Sequence, residues 1–347
     1  MNELRIFRII QEDLKKFNLN LVGLKVLTEA ATGYFALTPI IAALAGAERV
    51  FALTKDSEFG SVKNVTETVL SLAKKCNIGQ KIEILLSRND ETIGQADIVT
   101  NLGFVRPIDK QFISRLKETV VIPLMWESWE FREEDLDIVE CKRRGIPVMG
   151  TNEHVPELDT FNYVGPLAVK LAFELEIEVN HSNVIVVGSG AFGESTIKSF
   201  KQLGANVTNV QANKGDRFDD DWVLQDIAKS DLLVFVESAS REMLLGECGQ
   251  LSFKRLLQVN PSISIVHVAG YIDANAVELA SIPHRPRKIA KVGHMSATVD
   301  YLGPKPLIDL HIAGLKVGEA MAKARLQGLS CEETMQYALE SAPAMRL

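Results

Sequence analysis

The segment Asn183-Val-Ile-Val-Val-Gly-Ser-Gly-Ala-Phe-Gly193 limits what this chain can fold into more than any other stretch. A β-branched run enters glycines at 188, 190 and 193, and a helical stretch from Glu194 to Leu203 leads to a second strand-like run, Asn206 to Val210. Strand, glycine turn, helix and strand together make a βαβ unit. In a turn of this spacing the first glycine permits the tight bend, the second lets a phosphate approach the backbone, and the third lets helix and strand pack closely. The helix then presents unpaired N–H groups and the positive end of its dipole to a pyrophosphate. Gly188, Ser189, Gly190, Ala191, Phe192 and Gly193 are therefore candidate cofactor-binding residues, with NAD or NADP as the candidate cofactor.

The end of the second strand of such a unit usually carries an acidic residue that accepts the ribose hydroxyls. Here the chain reads Gln211-Ala-Asn213-Lys-Gly-Asp216-Arg217. Gln211 and Asn213 can hydrogen-bond a ribose, while Lys214 and Arg217 can meet a 2′-phosphate, which keeps NADP open.

The remaining pattern is α/β. Apolar residues at Leu4, Ile6, Phe7, Ile10, Leu14 and Phe17 predict an amphipathic first helix. Strands are expected at Leu24 to Leu27, Val50 to Leu53, Ile82 to Leu86, Ile98 to Asn101, Val120 to Leu124 and Pro147 to Gly150, with helices at Leu37 to Ala45 and Val65 to Lys75. Continuous apolar strands alternating with helices indicate a parallel sheet covered on both faces, so the first part of the chain is expected to be doubly wound in its own right. Thr160 to Ile177 reads as one long helix, and Leu307 to Gln327 as a second long helix or a strand-to-helix unit.

A chain of 347 residues with 46% hydrophobic content suggests two domains. The formal charge of −7, without a cluster of Lys and Arg, argues against a nucleic-acid surface. Cys76, Cys141, Cys248 and Cys331 lie far apart and fit reduced cytoplasmic thiols. No apolar run is long enough to cross a bilayer, the first residues lack the pattern of a signal peptide, and no His or carboxylate grouping has metal-ligand spacing.

Several polar residues follow expected strands and are candidates for contact with a small-molecule substrate. Glu29, Thr32 and Tyr34 lie in the turn after the first strand, where helix capping by the threonines is the plainer alternative. Arg106 follows a later strand and can bind an anion. His294, within Lys291-Val-Gly-His-Met-Ser296, is favoured over His267 as a functional histidine. Ser189 and Ser195 lack a nucleophile-activating arrangement.

Three stretches carry a resemblance to the D-2-hydroxyacid dehydrogenase family, of the formate and glycerate dehydrogenase type. Asp135 to Thr151, ending Arg-Arg-Gly-Ile-Pro-Val-Met-Gly-Thr, resembles the family's passage into its hinge helix; the glycine turn is the second stretch; His311-Ile-Ala-Gly314, with Glu319 beyond it, is similar to the segment bearing the catalytic histidine. The resemblance implies a Rossmann cofactor domain at 159–306 inserted into a flavodoxin-like substrate domain formed by 1–158 and 307–347, with the active site in a cleft and a homodimer as the assembly. It implies His311 as the proton-transfer group, with Asp309 or Asp300 as the acidic partner. The family's substrate-holding arginine has no counterpart, because Ala269-Gly270 stands in its place, and Trp126-Glu-Ser-Trp-Glu-Phe131 replaces the glycine-rich substrate loop. Trp126 joins the substrate-binding candidates, and a 2-hydroxy acid is disfavoured as substrate.

The leading expectation is an NAD(P)-dependent oxidoreductase. Its alternatives are a nucleotide-binding sensor or accessory protein without hydride chemistry, and an enzyme similar to S-adenosylhomocysteine hydrolase with tightly bound NAD.

Overall fold

A computed structural model describes residues 2–88, 91–126, 131–211 and 214–347. The chain opens with α1 (Glu3–Lys16), then runs β1 (Lys25–Glu29), α2 (Leu37–Leu44), β2 (Arg49–Leu53), α3 (Val62–Lys75), β3 (Ile82–Leu85), β4 (Ile98–Val99), α4 (Lys110–Ile113), β5 (Ile122–Pro123), α5 (Ile138–Arg143) and β6 (Val148–Thr151). The middle holds α6 (Val164–Phe173), β7 (Asn183–Val187), α7 (Gly190–Gln202), β8 (Asn206–Val210), α8 (Asp221–Ile227), β9 (Leu232–Val236), β10 (Met243–Leu245), α9 (Phe253–Val259), β11 (Ser264–Ala269), β12 (Tyr271–Ile272), α10 (Ala274–Leu279) and β13 (His284–Arg285). The chain then forms α11 (Pro304–Leu326), α12 (Cys331–Ser341) and β14 (Ala344–Met345). Two compact units result, one of Met1–Asp159 with Pro304–Leu347, the other of Thr160–Gly303.

In the first unit the parallel strands are ordered β3-β2-β1-β4. A parallel bridge between Ile98 and Val121 carries the sheet on to β5 and β6, and β14 adds antiparallel to β6. Without the edge strand β3, the order β2-β1-β4-β5-β6 is the flavodoxin-like 2-1-3-4-5. The helix α1 buries Ile6, Ile10 and Leu14 of its expected apolar stripe together with Ile9, while Leu4 of that stripe is exposed. The long α11 seats on the sheet through Gly314 and Gly318. A Cβ on Gly314 would lie 2.8 Å from the Met125 sulfur, and one on Gly318 would lie 2.9 Å from Ile98. Only hydrogen at these two positions allows so close an approach.

In the second unit all strands of the main sheet are parallel, in the order β13-β11-β9-β7-β8. Numbered within the unit this is again 2-1-3-4-5, with the reversal of winding between β7 and β9. The core strands β9 and β11 are buried along their whole length, as parallel strands covered on both faces must be.

Several local expectations are corrected. The expected single helix over 160–177 is a 3-10 turn, Thr160–Tyr163, followed by α6, which ends at Phe173. Pro166 is tolerated in the first turn of α6, where its missing N–H has no intrahelical role. Gly165 is required there, because its Cβ would come within 2.2 Å of the Ser195 carbonyl oxygen on α7. The helix α7 starts at Gly190, inside the glycine turn, and α11 is one continuous helix from Pro304. The strands expected at 98–101 and 120–124 shorten to Ile98–Val99 and Ile122–Pro123.

Candidate functional site

Two strand-end sites take shape, one in each unit, at the place where ligands of parallel α/β sheets bind. In the second unit the turn from Gly188 to Gly193 joins β7 to α7. A Cβ on Gly188 would lie 2.9 Å from the Val236 carbonyl carbon and oxygen, so this glycine lets the turn pass against the end of β9. A Cβ on Gly193 would lie 2.7 Å from the Gly188 carbonyl oxygen, so the third glycine brings α7 onto the turn. Gly190 has φ +58° and nothing within 4 Å of its Cβ position. The middle glycine therefore combines a left-handed backbone with open space, which is the cradle a phosphate needs. Phe192 packs on Phe161 with ring centroids 5.6 Å apart, and Ala191 lies in the first turn of α7.

Ser189 does not cap α7 with its side chain. Its hydroxyl instead donates a 2.8 Å hydrogen bond to Glu237 Oε2, just beyond β9. Glu237 Oε1 accepts from the backbone N–H groups of Ala239 (2.8 Å) and Ser240 (3.1 Å). The glycine turn and the loop after β9 are thus held by one buried carboxylate. Glu237 was missed in the sequence, although the run Leu232 to Val236 marks its strand.

Beyond β8, the Gln211 backbone N–H donates to Asp216 at 2.9 Å, and the Gln211 side chain bonds Asn209. A carboxylate therefore stands at the end of this strand after all, delivered from five residues downstream. Arg217 pairs with Asp219 at 2.9 Å and lies 3.8 Å from Glu242, while Lys214 is exposed. Asn213, the other ribose candidate, lies outside the described residues.

His267 is fully buried on β11, with Nε2 3.1 Å from the Gly270 carbonyl and Nδ1 2.7 Å from Ser296 Oγ. A carbonyl has no proton to give, so Nε2 carries the hydrogen and Nδ1 accepts from Ser296. Burial pulls the ring down to about 4, which keeps it neutral. His294 lies on an exposed turn rather than at a strand end.

The first unit's site lies at the carboxyl ends of β1, β2 and β4. Glu29 ends β1, is 4% exposed, and accepts the Phe104 backbone N–H at 2.9 Å through Oε2. Burial raises its carboxyl above the usual range, against the lowering effects of the Phe104 N–H, Arg106 and Lys55. Arg106 forms an ion pair with Asp135, which Arg132 also approaches at 3.4 Å, and lies 5.1 Å over the Trp126 ring. Lys55 lies 5.3 Å over Phe104. Among the described residues, Thr54 Oγ1, Arg106 Nε and Trp126 Nε1 are buried without a hydrogen-bond partner. The fold thus brings together Glu29, Arg106 and Trp126 and adds Lys55. Thr32 instead precedes a 3-10 turn and packs near Gly60, and Tyr34 lies partly buried against the core. Residues 127–130, most of the aromatic segment singled out in the sequence, lie outside the described residues.

His311 and Asp309 sit on α11, 3% and 2% exposed. His311 Nδ1 lies 2.8 Å from Thr38 Oγ1 and its ring 5.9 Å from Phe35, and burial lowers it to about 3. Asp309 meets Lys305 at 2.8 Å, and Lys305 reaches Asp13 at 3.3 Å. Burial, then the hydrogen bond to Asp13, push Asp309 up to about 7. Two residues apart on one helix, His311 and Asp309 do not share a face.

Among the described residues no group of three or more His, Cys, Asp or Glu could hold a metal, and no helix is long and apolar enough to cross a membrane. The fold is similar to that of dipicolinate synthase from Bacillus subtilis, with TM-score 0.55 and 14% identity over 89% of this chain and 99% of that one. The dipicolinate synthase of Bacillus halodurans matches with TM-score 0.54 and 12% identity over 84% and 96%. The pyruvate reductase of Chlamydomonas reinhardtii matches with TM-score 0.53 and 14% identity over 88% and 98%. At these identities the likeness is one of fold. No family model and no curated protein matches the chain.

Proposed function

We propose that this chain is an NAD-dependent oxidoreductase acting on a small molecule. The observation that carries the reading is the turn from Gly188 to Gly193. There each glycine meets a different steric need, and the open, left-handed Gly190 is the first residue of α7, at the reversal of winding. Backbone N–H groups at the start of α7 would hold the pyrophosphate. When bound, the nicotinamide supplies or accepts a hydride. Asp216 would accept ribose hydroxyls from its place beside Gln211. Arg217 is engaged by Asp219 and Glu242, which weakens its claim on a 2′-phosphate, while the exposed Lys214 keeps NADP as the alternative. A likeness in fold to a pyruvate reductase supports the same class of chemistry.

Calorimetric titration with NAD⁺, NADH, NADP⁺ and NADPH tests this. Binding of NAD⁺ or NADH, weakened about tenfold or more by Asp216→Asn, is the expected result. Absence of binding by all four removes the assignment.

A second reading, dinucleotide binding without turnover, draws on the burial of His311 and on Ala269 in place of an arginine. Cofactor turnover with any substrate disposes of it.

A further inference from the structure

We infer that the buried His267 is a positioning residue: through Ser296 it holds the segment 290–296 at the carboxyl ends of β9 and β11, and so places Arg241 for the negative charge of a dinucleotide's pyrophosphate. That the ligand is a dinucleotide rests on the reading above, whereas the ordering of the segment does not. From Pro286 to Thr298 the chain forms neither helix nor strand, so its order depends on a few anchors. Ser296 supplies three of them. Its N–H donates to the Val268 carbonyl at 2.8 Å, its hydroxyl oxygen accepts the Ala290 N–H at 2.7 Å, and its hydroxyl donates to His267 Nδ1 at 2.7 Å. The strand β11 is shaped to receive these bonds. Its pairing with β13 ends at Val266, and its register against β9 shifts between His267 and Ala269, so Val268 is an extra residue whose carbonyl is left for Ser296. The His267 Nε2 hydrogen goes to the carbonyl of Gly270, a residue with φ +125°. Burial keeps the ring neutral, which leaves Nδ1 as the acceptor that Ser296 needs.

The held segment reaches Arg241. Gly293, with φ +80°, lies inside it, and a Cβ there would run into the Arg241 guanidinium, so this turn is the surface on which that side chain rests. Arg241 stands four residues past Glu237, whose carboxylate ties the glycine turn to the end of β9. A line of contacts thus crosses three strand ends, from Ser189 to Glu237, along the loop to Arg241, on to Gly293, and through Ser296 to His267. Glu237 brings negative charge to the phosphate cradle, and a pyrophosphate adds more. Among the described residues Arg241 has no carboxylate partner, whereas the adjacent Glu242 lies 3.8 Å from Arg217. A guanidinium without a partner charge, steadied on backbone, is an anion receptor with little ordering left to do at binding.

The test is amide hydrogen exchange of the whole protein without ligand, followed by NADH titration at two salt concentrations. Ser296→Ala and His267→Phe should each speed exchange within 290–296 about tenfold or more while β7 and β9 keep their protection, and Ser296→Thr, which retains the hydroxyl, should restore the parent's rates. Ser296 is half-buried, so Ser296→Ala carries the test where His267→Phe does not fold. Ser296→Ala and Arg241→Met should each weaken NADH binding about fivefold or more and flatten its salt dependence. The double variant should bind no more weakly than Arg241→Met alone, because the two act through one contact. Unchanged exchange, faster exchange with NADH affinity intact, or additive losses in the double variant each overturn the inference. Parent protein that binds NADH, with variants that exchange as it does, sinks only this inference. Parent protein that binds no dinucleotide removes the enzyme reading, and the role of Arg241 with it.

Discussion

The hydroxyl of Ser189 donates a 2.8 Å hydrogen bond to Glu237, so the second residue of the glycine turn is tied to the end of the neighbouring strand. Both residues are buried, and the bond is charge-assisted. Ser189→Ala leaves Glu237 with its two backbone donors and should cost about 1–3 kcal/mol of stability. It should also weaken dinucleotide binding by loosening the turn. Urea unfolding and an NADH titration measure the two effects, and unchanged values in both would show the bond to be incidental.

The glycines should fail in different ways. Gly193→Ala places a Cβ 2.7 Å from a backbone oxygen, and a loss of about 1–3 kcal/mol from overpacking is expected even without ligand. Gly190→Ala meets open space but keeps a left-handed φ, costing about 1–2 kcal/mol. Its larger effect should be on dinucleotide affinity. Equal stability losses with equal affinity losses would remove the distinction between a packing glycine and a cradle glycine.

Acid should unfold the protein partly through two histidines. His311 and His267 are held down to about 3 and about 4 by burial. In the unfolded chain each takes a proton near pH 6.5. Between those values the unfolded state holds more protons, so stability falls as pH falls, by up to about 1.4 kcal/mol per pH unit for each ring. His311→Gln should flatten that slope, as read from urea midpoints at successive pH values. An unaltered slope would mean that His311 protonates within the fold.

Asp309 works in the opposite sense. Raised to about 7 in the fold, it holds a proton there that the unfolded chain has already lost. Its contribution is complete below about pH 4 and disappears as pH rises through 7. Asp309→Asn should therefore gain on the parent protein as pH rises toward 8. If the two proteins keep a constant difference from pH 5 to about 8, Asp309 is ionised throughout.

The βαβ segment around Gly188 was legible because its information is local: a β-branched run, three spaced glycines and a helix in one stretch of chain. The amphipathic α1 was legible for the same reason. Glu237 was not, since its role depends on β9 lying beside β7, a pairing between segments 48 residues apart as the Ser189 bond measures them. Asp216 is visible in the sequence, but only the fold of its loop returns it to Gln211. Glu29 and Arg106 could be named as strand-end residues, whereas their meeting needs the β1–β4 pairing. His311 fits a motif in sequence, and its burial against Thr38 comes from the packing of α11 on α2.

The chain leaves its first unit at Asp159 and re-enters at Pro304, which has a consequence for synthesis. A ribosome that has released residues through Gly303 has completed the second unit. The first unit still lacks α11, whose glycines 314 and 318 close over β4 and β5. Its amino-terminal half must wait with that face of the sheet exposed while the inserted unit folds. Limited proteolysis of a chain ending at Gly303 should accordingly leave 160–303 intact while 1–159 is cut, and protection of 1–159 would mean that the half-built sheet stands alone. The helix α11, made after the inserted unit, is then the step that commits the first-made residues to their fold.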